Sequence, residues 1–93
     1  MKKTLSVKRY LLLEEEVEKI VFANISEDFK ILKIDRVGEK IFLYTLEEEG
    51  KQKKIVKFHL FLTNELFEDN DYVYVGSYNS KKLSMTFHVF LEN

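Results

Sequence analysis

The fold of this chain is decided by the segment Asp71 to Leu91, which reads D-Y-V-Y-V-G-S-Y-N-S-K-K-L-S-M-T-F-H-V-F-L. Two apolar stretches rich in aromatic and β-branched residues flank a polar break at Asn79 to Lys82. Such residues suit a pleated, half-buried surface, and a short polar break between them favours a hairpin loop. The segment therefore predicts a C-terminal β-hairpin, and we expect the rest of the chain to pair with it or pack on it.

Short apolar stretches upstream predict further strands at Ser6–Leu13, Ile20–Phe22, Phe29–Arg36, Ile41–Leu46 and Ile55–Leu62. Turns are predicted by composition at residues 24–28 and at Gly38, which can supply a positive φ. Three acids from Glu47 and three lysines up to Lys54 predict charge pairing across a hairpin between the last two of these strands. Both faces of Ile41–Leu46 are apolar, which indicates a central strand covered on both sides.

Two stretches leave helix as an alternative. Glu14–Phe22 fits both a helical template and a short strand, and we expect a strand because strands flank it on both sides. Thr63 could cap a single helical turn through Leu66 and Phe67. The fold prediction is one all-β domain over residues 1–93. It is a small antiparallel sandwich or curved sheet of six or seven strands, with at most one short helix.

Composition limits the classes of function. The net charge is −1, so no basic field is present to hold a nucleic acid. No apolar run reaches the length of a membrane span, and no signal-peptide core follows the first residues, so we expect a soluble protein of the cytoplasm. A chain of 93 residues without cysteine has a small core. Together with its eight Phe and five Tyr, this predicts a homo-oligomer, most simply a dimer.

Catalytic and metal-binding patterns are missing from the sequence. It has no nucleophile elbow, phosphate-binding loop or dinucleotide fingerprint, and the acids of residues 65–71 lack the spacing of a calcium loop. The only histidines, His59 and His88, lie within apolar strands. They could meet as neighbours and bind a metal or act as a base, although a partly buried, hydrogen-bonded histidine is more common. We expect no catalysis, no metal and no cofactor.

Gly76 interrupts an aromatic strand between Tyr74 and Tyr78. A strand glycine marks a bulge or a close backbone approach, so Gly76 either re-aims the hairpin or lets a ligand lie against the strand. Aromatic rings near Arg36 or Lys57 could stack on a nucleotide base, but the chain contains only two arginines. The lysines near Lys54 could hold a phosphate, but the adjacent glutamates cancel most of their field.

The C-terminal hairpin resembles a family of small uncharacterised phage and bacterial proteins. The resemblance rests on Tyr72 to Tyr78 as a Y-[IV]-G-[ST] segment and on Phe87-His88-Val89-Phe90 as an H-V-F ending. It extends loosely to Lys8-Arg9-Tyr10 and Ile31-Leu32, whereas Thr63-Asn64-Glu65 departs from a Thr-Gly-His segment of the family. The resemblance implies a small β protein from a phage or prophage setting, and it carries no activity.

By elimination, we expect a phage-type accessory protein that binds stoichiometrically and inhibits a host protein, such as a defence component, by direct contact. Tyrosine and phenylalanine are common interface anchors. The candidate contacts are Tyr72, Tyr74 and Tyr78, together with Leu66 and Phe67, which lie among acids in the loop Asn64–Asp71. Leu66 and Phe67 could instead cap the core, and this alternative is stronger for Phe67. The alternative function is an oligomeric binder that sequesters a nucleotide or another small-molecule signal.

Overall fold

The computed structural model describes residues 2–14 and 19–93, and within them the chain forms seven strands and no helix. The strands are β1 Leu5–Leu13, β2 Ile20–Ser26, β3 Lys30–Val37, β4 Lys40–Glu48, β5 Lys53–Leu62, β6 Tyr72–Ser80 and β7 Met85–Glu92. The all-β prediction is confirmed. Residues 2–14 and 19–93 contain no helix that is long and apolar enough to cross a membrane.

The strands form two antiparallel sheets that face each other. One sheet has the order β1-β4-β3 and the other has the order β2-β5-β7-β6. Strand β1 packs over β2 at one end of the sandwich, and β3 packs over β6 at the other end. Alternating residues of each strand point into the space between the sheets. Fully buried members of this core are Ile25, Ile41, Leu43, Phe58, Leu60 and Val89.

The two tight hairpins lie where the sequence predicts them. Strands β6 and β7 pair from Tyr72 opposite Glu92 to Ser80 opposite Met85. Strands β3 and β4 are joined at Gly38, whose φ of 64° lies in the left-handed region. Because glycine has no Cβ, it adopts this conformation without steric cost. The C-terminal hairpin and the Gly38 turn are therefore confirmed.

The predicted hairpin between β4 and β5 is wrong, because these consecutive strands lie in different sheets. Glu47 does not face a lysine across a ladder. It is only 3% exposed, and its carboxylate accepts hydrogen bonds from the hydroxyls of Tyr10, at 2.7 Å, and Thr45. Glu49 pairs with Lys8 of β1, at 3.2 Å. Alternation places Glu47 on the inward face of β4, and the two hydroxyls offset the loss of its hydration.

The central position of β4 is confirmed, but its two faces are covered differently. Inward residues such as Leu43 are buried under the second sheet. Outward Phe42 and Tyr44 are half-buried under long cationic side chains: the Arg9 guanidinium lies 4.4 Å from the centre of the Phe42 ring, and the Lys33 ammonium lies 4.9 Å from that of Tyr44. Apolar stems of such side chains cover a ring while their charged ends stay in water.

Two local predictions are corrected. The single helical turn predicted after Thr63 does not form, because Thr63 N–H donates to Thr86 O at 3.1 Å and Asn64 takes a φ of 72°. The turn predicted from residue 24 begins too early, because β2 continues to Ser26. Within Glu14–Phe22, the predicted strand is present from Ile20 onward, and residues 15–18 lie outside the described part of the chain.

Candidate functional site

The outward face of the four-stranded sheet is unusually aromatic. In β5, Phe58 and Leu60 point into the core, so His59 and the next alternate residue, Phe61, point outward. The same alternation in β7 places His88 and Phe90 outward. Seven rings from β5, β6, β7 and the loop before β6 form one patch, which we call the aromatic face: His59, Phe61, Phe67, Tyr72, Tyr74, His88 and Phe90.

The rings of the aromatic face contact one another closely. Phe67 stacks on Phe61 with ring centroids 3.8 Å apart and planes within 6° of parallel. Phe90 lies at the centre, with its centroid 5.8 Å from that of Phe61, 6.1 Å from Tyr72 and 5.3 Å from Tyr74. Tilted and edge-on pairs at these distances each contribute about 0.5–1.5 kcal/mol beyond area burial. The face is thus a packed aromatic surface.

The loop between β5 and β6 covers one side of this face and is anchored by Glu65. The Glu65 carboxylate accepts hydrogen bonds from Lys19 Nζ at 2.6 Å and from Leu62 N–H at 2.9 Å. Both hydrogen bonds lower the pKa of Glu65, and the bond from Lys19 is the larger cause. The anchored loop holds Phe67 over Phe61 and leaves Phe67 44% exposed, whereas the neighbouring Leu66 is 95% exposed. Leu66 therefore projects beside the aromatic face without packing on its own chain.

The two histidines occupy diagonal positions of the same ladder. In the register, His59 lies opposite Phe90 and His88 lies opposite Phe61. His59 Nε2 is 3.0 Å from Glu92 Oε1, and His88 Nε2 is 2.8 Å from Thr63 Oγ1. Each ring is therefore held by a polar neighbour of its own. Within residues 2–14 and 19–93, no group of three His, Asp or Glu side chains is arranged to hold a metal.

The three tyrosines of β6 lie on different faces, because a bulge interrupts the β6–β7 register between Tyr74 and Gly76. The bulge inverts the alternation, so Tyr72 and Tyr74 point outward and Tyr78 points into the core. Tyr78 is 6% exposed and stacks on Phe87 at 5.5 Å. Burial raises the pKa of Tyr78 to about 12, and among the described residues its hydroxyl has no hydrogen-bond partner. Tyr78 thus belongs to the core and not to the aromatic face.

Gly76 and Arg36 also lie away from the aromatic face. Gly76 faces the other sheet, where the side chain of Ile34 lies against it, so the predicted bulge is accompanied by a close approach between the sheets. Arg36 of β3 donates to the carbonyl of Gly38 at 3.1 Å and to that of Asn79 in β6. Both residues join β3 to β6 and close one end of the sandwich.

Sequence reasoning missed Phe61 and Phe90, which form the centre of the aromatic face. The signal was available, because alternation along β5 and β7 places Phe61 with His59 and Phe90 with His88. The pairing of β5 with β7, which brings the four residues together, is set by tertiary structure and has no local signature. Of the predicted contacts, the structure brings together Tyr72, Tyr74, His59, His88 and Phe67, with Leu66 beside them.

Comparison with known proteins assigns a family without an activity. The family model described as Domain of unknown function (DUF7352) matches residues 6–93, which include all seven strands except the first residue of β1. No curated protein and no solved structure matches the chain.

Proposed function

Because the chain belongs to the DUF7352 family of domains of unknown function, we propose its function from the aromatic face: the protein binds another protein stoichiometrically and blocks it. The observation that carries the proposal is Leu66, a large apolar side chain that is 95% exposed beside this face. Such a side chain gains from burial only when a partner supplies a pocket, at about 25 cal/mol per Å² of apolar surface.

The charges around Leu66 indicate the chemistry of the partner. The loop Thr63–Asp71 contains Glu65, Glu68, Asp69 and Asp71 and no lysine or arginine. Glu65 forms an ion pair with Lys19, whereas Glu68, Asp69 and Asp71 lie between Leu66 and the start of β6. A complementary surface therefore has an apolar pocket for Leu66 and Phe67 with lysine or arginine side chains at its rim.

The aromatic face supplies the area that a single anchor lacks. Phe67, Tyr72 and Tyr74 lie together on it, and Tyr74 is more than half exposed. Aromatic anchors clustered at the centre of a contact carry most of the binding energy of a protein interface. Their mutual stacking holds them in place before binding, which reduces the entropy lost on association.

The resemblance of the C-terminal hairpin to small phage and bacterial proteins supports a partner from a bacterial host, such as a defence component, which the protein inhibits without catalysis. Sequestration of a nucleotide remains the alternative prediction. A base that stacks on this face would compete with rings that are already in contact, as in the Phe61–Phe67 pair at 3.8 Å. A nucleotide panel tested by thermal shift separates the two functions, because a ligand at 100 times its Kd adds about 2.7 kcal/mol of stability.

The test is an affinity capture from a bacterial lysate with the wild-type protein and two matched variants. Leu66→Asp places a charge at the proposed anchor. Leu32→Asp makes the same change at another exposed leucine, on the bulge of β3 in the opposite sheet. We expect one protein to be captured in a fixed ratio by the wild type and by Leu32→Asp. Leu66→Asp should weaken its binding by about tenfold or more.

Binding of the purified partner to each variant then measures the affinities directly. Both leucines are exposed, so we expect both variants to keep the wild-type free energy of unfolding within about 0.5 kcal/mol. Equal binding of the partner by wild type and Leu66→Asp contradicts the proposed interface. Thermal stabilisation by a nucleotide, with no protein captured in proportion to the bait, contradicts the blocking function and favours sequestration.

A further inference from the structure

Strand β2 forms the open edge of the four-stranded sheet, at the opposite end from β6. It pairs with β5 in an unbroken register over seven residues, from Ile20 opposite His59 to Ser26 opposite Lys53. Two hydrogen bonds just beyond the ends of this register show which backbone groups of β2 face β5. Leu60 N–H donates to Lys19 O, and Glu27 N–H donates to Gln52 O, both at 2.9 Å. In an antiparallel ladder, hydrogen-bonded residues alternate with residues whose backbone groups point away. The odd-numbered residues of β2 therefore bond to β5.

The even-numbered residues Ile20, Phe22 and Asn24 consequently direct their N–H and C=O groups away from β5, toward the open edge. The N–H of Ser26 does the same, whereas Ser26 O accepts a hydrogen bond from Phe29 N–H at 3.3 Å. Phe22 is 61% exposed and Ile20 is 43% exposed at this edge. A regular row of such groups beside apolar side chains is a template for pairing with another strand.

The other three edge strands are protected, which sets β2 apart among the strands described. The register of β1 is broken between Leu11 and Leu13, that of β3 between Ile31 and Lys33, and that of β6 between Tyr74 and Gly76. Bulges twist an edge and disrupt the row of backbone groups, and β1 and β3 also carry charged residues. Strand β2, I-V-F-A-N-I-S, has neither a register shift nor a charge.

We propose that two copies of the chain associate through β2, which pairs antiparallel with β2 of the second copy about a two-fold axis at Ala23. In this register Phe22 of each copy lies opposite Asn24 of the other, and Ile20 lies opposite Ser26. Phe22 and Asn24 then exchange both of their backbone hydrogen bonds, and Ile20 pairs with Ser26, whose carbonyl also accepts a bond from the turn of its own chain. The sequence is self-complementary, because no like charges meet across the axis, as an isologous interface requires.

Pairing through β2 places Ile20 and Phe22, which are 43% and 61% exposed in the single chain, beside side chains of the second copy. Oligomerisation is also the means by which a small core without disulfides gains stability.

Association in this way produces one eight-stranded sheet with the order β6-β7-β5-β2-β2-β5-β7-β6. A two-fold axis perpendicular to the sheet keeps both outward faces on the same side. The dimer therefore presents two aromatic faces on one surface, joined at the centre by Ile20 and Phe22 of both copies. Formation of the dimer does not require that the aromatic face bind a partner.

The test is the mass of the full chain and its variants in solution by light scattering at micromolar to hundred-micromolar concentration. Asn24→Pro removes one outward N–H without touching the ladder to β5, since proline is tolerated at an edge strand when its nitrogen faces solvent. Asn24→Ser retains this N–H and is the matched control. Phe22→Lys is a second disrupting variant, because a lysine on an edge opposes strand pairing.

We expect twice the chain mass for the wild type and for Asn24→Ser, and a dissociation constant at least tenfold higher for Asn24→Pro and Phe22→Lys. Circular dichroism checks that each variant keeps its strands, and if Asn24→Pro does not fold, the comparison rests on Phe22→Lys. A monomeric wild type at the highest concentration overturns the proposal. So does a dimer that survives in folded Asn24→Pro and Phe22→Lys, because it must form through another surface.

Discussion

Ile34 of β3 lies directly against Gly76 of β6, so that a Cβ added at position 76 would lie 3.1 Å from Cγ1 of Ile34. This pair sets the distance between the two sheets at the end where β3 crosses β6. The close approach explains why the bulged strand carries glycine even though Gly76 has no left-handed φ.

Substitution Gly76→Ala is expected to lower the free energy of unfolding by about 1 kcal/mol, because Ile34 must move to admit the new methyl group. In an Ile34→Ala background the same substitution should cost close to nothing. Urea denaturation of the four proteins in the cycle measures this coupling. Ser77→Ala, at the exposed neighbouring position, is the control. Equal costs of Gly76→Ala in both backgrounds would show that the contact is not the cause.

Half-buried Tyr10 and buried Tyr78 should respond in opposite ways to loss of the hydroxyl. Tyr78→Phe removes a buried oxygen that has no hydrogen-bond partner among the described residues, so stability should stay equal or rise by up to about 1 kcal/mol. Tyr10→Phe removes the donor at 2.7 Å from the buried carboxylate of Glu47, and should cost about 1–3 kcal/mol. Urea denaturation near pH 7 compares the two. A cost above 1 kcal/mol for Tyr78→Phe contradicts the unpartnered hydroxyl.

The same tyrosines make the fold sensitive to alkali. The pKa values of Tyr10 and Tyr78 are both raised from an ordinary value of 10 to about 12, and burial is the largest cause for both. The Glu47 carboxylate also contributes to the rise for Tyr10. Between these values the unfolded chain loses the phenol proton and the folded chain keeps it. Stability is therefore fully present below pH 10 and falls as pH rises to 12, by up to about 1.4 kcal/mol per pH unit for Tyr78.

Denaturation curves at intervals from pH 9 to 12 measure this loss. The informative quantity is the difference between wild type and Tyr78→Phe. We expect a shallower decline in the variant, because the raised pKa of Tyr78 no longer contributes to it. Parallel curves for the two proteins contradict the raised pKa of Tyr78.

The histidines provide a test of the prediction that the protein acts by binding and not by catalysis. His59→Gln with His88→Gln removes both imidazoles, while the glutamine amides can still hydrogen-bond to Glu92 and Thr63. We expect the double variant to keep its strands by circular dichroism and to weaken partner binding less than Leu66→Asp does, because both histidines lie on the aromatic face but neither is the proposed anchor. Loss of the biological effect with fold and binding intact would instead indicate imidazole chemistry.

The sequence predicted which segments form strands better than it predicted which strands pair with each other. The C-terminal hairpin and the Gly38 turn follow from local patterns, and both are present. Strands β4 and β5 are consecutive and are joined by a charged turn, yet they belong to different sheets. Local residues determine that each is extended, whereas the choice of sheet depends on which inward faces pack together. For the same reason the sequence did not reveal that Glu47 is buried.

The residues of the candidate site were predicted in part, and the bulge in β6 is the reason that Tyr78 does not lie with Tyr72 and Tyr74. Tyr72, Tyr74 and Tyr78 are spaced as if they shared one face, and without the bulge they would. A glycine indicates that the register can shift, but its close approach to Ile34 of β3 is set by tertiary structure. Leu66 lies among acids, which predicts an exposed side chain, and it is 95% exposed next to Phe67.

The partition of the strands between two sheets also determines the order in which the chain can fold. Among the described strands, β1 pairs with β4 and β2 pairs with β5, so the partner of each lies well after it in the sequence. On a ribosome, Leu11 to Leu13 and Ile20 to Phe22 emerge and remain unpaired until Ile41 and His59 have been made. Non-local pairing of this kind slows folding and leaves apolar strands open to aggregation and to chaperones. Production of this protein in cells should therefore depend on translation rate and chaperone supply more than on its final stability.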